Sequence, residues 1–126
     1  MTDSNKFKIR NQKENNIEIL FLSGYLDAHT APELEAAIEN LINQGRNKIV
    51  VSFAKLDYIS SAGLGVFMAF IEDIRSKGGD IKLSNMQAKV FSVFDLLGFP
   101  LLFEIFDNER EAIMKFSNSK DTDNVD

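Results

Sequence analysis

The 126-residue chain has the length of one domain, and its 44% apolar content is enough for a single core. Its formal charge of −5 argues against nucleic acid or an anionic membrane as main partner, because phosphate binding needs clustered Lys and Arg. The absence of cysteine excludes disulfides and thiolate chemistry, and no apolar run reaches membrane-spanning length. The polar start, Met1-Thr2-Asp3-Ser4-Asn5-Lys6, lacks the apolar centre of a signal peptide, so the reading is a soluble cytoplasmic protein. With 11 Phe against two Tyr and no Trp, large apolar rings are expected to fill much of the core.

In chain order, Phe7 to Asn11 and Ile17 to Ser23 read as two strands joined by a turn at Lys13-Glu14-Asn15-Asn16. Thr30-Ala31-Pro32-Glu33 is a helix start, with Thr30 as N-cap, Glu33 completing a capping box and Pro32 in the first turn. That helix is expected to run to about Asn43, with Leu34, Ile38, Leu41 and Ile42 inward and Gly45 past its end. Lys48 to Phe53 is short, continuous and apolar, as suits a central strand. After Ser60-Ser61, the residues Leu64, Phe67, Met68 and Ile71 recur at helical spacing, and the helix ends near Lys77 before Gly78-Gly79. Ile81 to Leu83 is a further strand. Ser84 or Asn85 is placed to cap a helix through Val90, Val93, Phe94 and Leu97, stopped by Gly98-Phe99-Pro100. Leu102 to Phe106 reads as an edge strand, and Asp107-Asn108 opens a last helix through Ile113, Met114 and Phe116. Residues 1–5 are expected to be flexible, 6–116 to form one domain, and the polar segment 117–126 to be a disordered tail. Strand–helix alternation after an opening hairpin implies right-handed crossovers and a mixed, partly parallel sheet.

The segment richest in chemistry is Leu56-Asp57-Tyr58-Ile59-Ser60-Ser61-Ala62-Gly63-Leu64. Two serines stand where an extended segment becomes a helix. Unpaired N–H groups and a partial positive charge make that place suited either to a capping hydroxyl or to a phosphate. The residues alone leave both uses open.

Tyr58-Ile59-Ser60-Ser61-Ala62-Gly63-Leu64 resembles the phosphoserine motif of STAS domains, specifically bacterial anti-sigma factor antagonists. Gly24-Tyr25-Leu26-Asp27-Ala28-His29-Thr30-Ala31-Pro32-Glu33-Leu34 is similar to a second segment of that family, and the likeness runs from about Lys6 to Phe116. The resemblance implies an α/β STAS fold: a mixed sheet of about five strands, with about four helices mainly on one side. It also implies partner switching. The unphosphorylated protein binds an anti-sigma factor that is itself a serine kinase, and so releases a sigma factor. The kinase then uses ATP and magnesium to phosphorylate this chain, which ends binding, and a serine phosphatase restores the hydroxyl.

The expected acceptor is Ser61, directly before Ala62-Gly63-Leu64, with Ser60 as alternative. Many members carry Asp where Ser60 stands, so this chain departs from the usual motif there. Asp27, Tyr58, Ser60, Ser61, Ala62, Gly63 and Leu64 are the expected partner-binding residues. For Asp27, a loop or capping role stands beside the role in the partner surface. Gly63 is expected to allow close backbone approach, and Gly65 close packing of the helix.

An enzyme with a serine nucleophile is disfavoured. Ser60-Ser61-Ala62-Gly63 does not match Gly-x-Ser-x-Gly, and His29 is the sole histidine to serve as base. With neither cysteine nor a His pair, metal binding has no support, and no glycine spacing makes a phosphate cradle, so no cofactor is expected. The competing reading is a STAS interaction module in a stress-sensing or lipid-transport assembly without a sigma factor.

Overall fold

The computed structural model describes residues 6–125. It contains five strands and four helices in the order β1 (Lys8–Glu14), β2 (Ile17–Leu26), α1 (Ala31–Asn43), β3 (Lys48–Ile59), α2 (Ser61–Ser76), β4 (Asp80–Ser84), α3 (Ala88–Leu96), β5 (Ile105–Phe106) and α4 (Glu109–Val125). A short 3₁₀ turn, Phe99–Leu101, joins α3 to β5. The strands lie in the order in which the chain makes them. β1 and β2 are antiparallel and every later pair is parallel. The mixed α/β sheet expected from the sequence is therefore present.

Helices α1, α2 and α3 cover one face. Leu34, Ile38, Leu64, Phe67, Ile74, Val90 and Phe94 pack there on Leu20, Leu22, Ile49, Val51, Phe53 and Leu83. Phenylalanine dominates this core. Phe94 stands edge-on to both Phe53 and Phe99, with ring centroids 5.4 Å apart in each pair, a geometry that aromatic quadrupoles favour. Helix α4 covers part of the opposite face, where Ala112, Ile113 and Phe116 meet Ile17, Ile19 and Val50. Three helices on one side and one on the other match the expectation that the helices lie mainly on one side.

Several local expectations need correction. β3 does not stop at Phe53 but runs to Ile59. Exposed Ala54, Lys55, Asp57 and Tyr58 break the apolar pattern, yet pairing with β2 continues through two register shifts. Glu18, for which the sequence carried no stated expectation, is fully buried against the Arg46 guanidinium, whose Nε lies 2.6 Å from its carboxylate. Thr30 sits at the N-cap of α1 without capping it. Its Oγ1 instead donates to the Tyr25 carbonyl (2.9 Å) and accepts from the Asp27 N–H (3.0 Å), so the expected capping box is absent. Neither Ser84 nor Asn85 caps α3. Ser84 Oγ donates to the Val51 carbonyl, Asn85 takes a left-handed conformation, and Gln87 holds the N-cap position. Met68 is 44% exposed rather than inward. The edge strand shrinks to two residues, because Phe99–Leu101 coils and Phe103 turns into the core. Leu101 remains 90% exposed.

The last helix continues to Val125, across the segment expected as a tail, where neither glycine nor proline interrupts it. The expected flexibility of residues 1–5 falls outside the described residues.

Candidate functional site

The carboxyl ends of β2 and β3, the loop to α1 and the start of α2 come together at one edge of the sheet. Leu26 and Ile59 are a register pair at the ends of their strands, and both are buried. The Ser60 N–H donates to the Leu26 carbonyl (2.9 Å), which carries the pairing one residue past β3 and fixes where α2 begins. The chain then turns helical because Ser60 is still extended, at φ −106° and ψ 172°, while its carbonyl already accepts from Leu64 N–H at 3.1 Å. Gly63 makes this approach possible. A Cβ there would lie 2.7 Å from Leu26 Cγ and 3.1 Å from the Leu26 carbonyl oxygen. The close approach expected of Gly63 is thus found. The close packing expected of Gly65 is not, since a Cβ there meets nothing within 4 Å.

The two serines differ in environment. Ser60 Oγ is buried and has no hydrogen-bond partner among the described residues. It makes no cap bond to the helix. Ser61, the first residue of α2, is exposed. No acidic residue stands in the first turn of α2, so neither a side-chain cap nor a carboxylate offsets the positive end of this 16-residue helix.

Asp27 stands across from this turn, in the loop that leaves β2. Its Oδ1 accepts from the backbone N–H of His29 (2.9 Å) and of Thr30 (3.1 Å), while its carbonyl accepts from Ala31 N–H at 2.7 Å. The Asp27 side chain therefore braces the turn that leads into α1, and its carbonyl takes the first N–H of the helix, beside the serine turn. Its Oδ2 has no partner among the described residues and stays available at the surface.

Tyr58 is exposed, and its ring lies 5.6 Å from that of Tyr25, its partner in the β2–β3 register. Tyr25 was not singled out by sequence, and only the register puts it beside Tyr58. Ala62 is exposed, whereas Leu64 is buried in the core and anchors α2 rather than meeting solvent. His29 is exposed. No group of three or more His, Cys, Asp or Glu among the described residues could hold a metal, and no helix among them is long and apolar enough to cross a membrane. The arrangement is a surface with one exposed hydroxyl at a helix start. It is flanked by two tyrosines in tilted contact and a braced carboxylate loop.

The STAS domain profile matches residues 8–112. The chain belongs to the STAS domain family. Among curated proteins it is 29% identical over 112 residues to a Bordetella bronchiseptica protein named as the anti-sigma factor antagonist BtrV, covering 89% of this chain and 97% of that one. It is 30% identical over 94 residues to the anti-sigma-B factor antagonist of Bacillus subtilis, covering 75% and 84%. Among solved structures, a Thermotoga maritima protein described as an anti-sigma factor antagonist superposes with a TM-score of 0.80 at 25% identity, over 85% of this chain and 92% of that one. The family match over residues 8–112 spans all five strands and both loops of the site.

Proposed function

We propose that this chain is an anti-sigma factor antagonist that works by partner switching, with Ser61 as the phosphorylated residue. The observation that carries the choice of residue is the contrast between the two serines: Ser61 is exposed on the first turn of α2, and Ser60 Oγ is buried. A kinase must bring the γ-phosphorus of ATP to the attacking oxygen, and only Ser61 offers that oxygen to an incoming active site. The names of the relatives, antagonists of anti-sigma factors, support the partner class.

In this reading the unphosphorylated surface of Asp27, Tyr58, Ser61 and Ala62, extended by Tyr25, docks on an anti-sigma factor serine kinase and displaces its sigma factor. The Ser61 hydroxyl then attacks the γ-phosphorus of magnesium-bound ATP. Its proton passes to a base of the kinase, and ADP leaves. The phosphate adds about −1.5 to −2 charges and three acceptor oxygens. The uncapped amino end of α2 tolerates that charge within this protein. The partner surface, formed around a neutral hydroxyl, must instead desolvate a dianion near the free oxygen of Asp27. Each ~1.4 kcal/mol of that penalty weakens binding tenfold. The complex separates without a change of fold, and a serine phosphatase removes the phosphate by hydrolysis.

Binding assays with the candidate kinases test the reading. Ser61→Asp weakens binding at least about tenfold, while Ser61→Ala binds and stays bound in the presence of ATP. Equal affinities for both variants and the parent protein would refute the switch.

A further inference from the structure

Helix α4 leaves part of its face of the sheet uncovered. It packs on Ile17, Ile19 and Val50. Beyond Glu109 lies a cavity of about 480 Å³, within the range that holds a small ligand. We propose that this cavity binds a small organic anion, its charged group held by Lys8, Arg10 and Lys55 and its body lying on Phe21.

The strand register assembles the site. Arg10 is the β1 partner of Phe21, and its guanidinium stands 4.0 Å from the Phe21 ring centroid. Lys8 and Lys55 pair with Ser23 from its two sides, one from β1 and one from β3. The register shift between Phe21 and Ser23 falls within the cavity wall. Three cations thus converge against one lining carboxylate, Glu109, in a chain whose net charge is −5.

The three lining cations are free of carboxylate partners among the described residues. Arg46, Arg75, Lys82 and Arg110 each have a carboxylate partner. Lys8, Arg10 and Lys55 have none within ion-pair distance among the described residues. The one side-chain bond of Arg10 goes to Gln12, and its other N–H groups remain to grip a planar carboxylate or a phosphate.

The polar floor completes the case. Ser52 is 2% exposed and accepts weakly from Ala54 N–H at 3.5 Å, so its hydroxyl proton can go to a ligand. Asn85, held at φ +62°, has its Oδ1 buried with no partner. The proposal rests on the α4 face of the sheet and holds whether or not Ser61 is phosphorylated.

Titration of ¹⁵N-labelled protein with phenyl phosphate, and separately with inorganic phosphate, tests it by backbone amide shifts. The expected result is saturable shifts at Lys8–Arg10, Phe21–Ser23, Ser52–Lys55 and Asn85, with phenyl phosphate the tighter probe. Arg10→Gln combined with Lys55→Ala, which keeps the spectrum of a folded protein, weakens binding at least about tenfold, as expected for lost charge-assisted bonds. Should the double variant fail to fold, Lys55→Ala alone gives the weakening, since Lys55 is exposed on β3. Shifts that do not saturate, or that appear equally at Lys13 and Lys48, overturn the proposal. Equal affinity for the two probes also overturns it, because that result describes an adventitious ion only.

Discussion

Two glycines of α2, two residues apart, should respond to alanine in opposite senses. Gly65 is exposed, and an added Cβ meets nothing within 4 Å. Gly65→Ala therefore gains the helix propensity difference, about 1 kcal/mol, without a steric cost. Gly63→Ala gains a similar amount but drives its Cβ to 2.7 Å from Leu26 Cγ, and Leu26 is fully buried. The helix must then lift off the end of β2, at about 1–3 kcal/mol for an overpacked methyl. Because the propensity gain is common to both, the difference between the two variants isolates the contact between α2 and β2. That difference should be about 1–3 kcal/mol in urea unfolding, with Gly65→Ala the more stable. The Gly63 variant should also move the amide resonances of Ser60 and Ser61. Equal stabilities for the two variants would show that α2 does not start pressed against Leu26, and the account of how the serine turn is positioned would fail.

The remaining predictions concern charge and capping. Arg46→Met leaves the Glu18 carboxylate buried with neither oxygen paired, so stability at neutral pH falls by about 3–5 kcal/mol, measured by urea unfolding, and Glu18→Leu in the same chain recovers most of the loss. Asp27→Ala removes the acceptor for His29 and Thr30 N–H and costs about 1 kcal/mol, whereas Asp27→Asn costs less; thermal unfolding of the pair checks this. The Arg110 guanidinium, hydrogen-bonded to Glu14, holds that carboxyl below its ordinary pKa. Its contribution is therefore present above the unfolded-state value and disappears as pH falls through the folded one. The pair lies at the surface, Arg110 exposed and Glu14 partly so, and Glu14→Gln should flatten only the acid limb of the stability profile, with 1 M salt erasing most of the difference.

Local signals carried much of the fold. Pro32 and the apolar spacing after it mark α1, the run Lys48–Phe53 marks the middle of the sheet, and Gly78-Gly79 marks the end of α2. What sequence left out depends on partners distant in the chain. Nothing near Glu18 in the chain shows that Arg46, 28 positions away, is brought against it. The far half of β3 hides behind register shifts that break alternation. Asp27 and Thr30 are both capping residue types three apart, and only the turn geometry shows that both side chains brace the turn before α1 instead of capping the helix. At the site, the motif located the serine turn and its glycine, whereas the pairing of Tyr25 with Tyr58 needed the strand register. The separate fates of Ser60 and Ser61 follow from one extended residue at the N-cap, which turns the first side chain inward and leaves the second outside.

The central claim is that a kinase partner phosphorylates Ser61. Incubation with ATP, magnesium and each candidate anti-sigma kinase, followed by intact and peptide mass spectrometry, tests it most directly. The account predicts one phosphate, located on Ser61 and absent from Ser61→Ala, together with release of the kinase. A phosphate on Ser60, or none from a kinase that binds the protein, would contradict it.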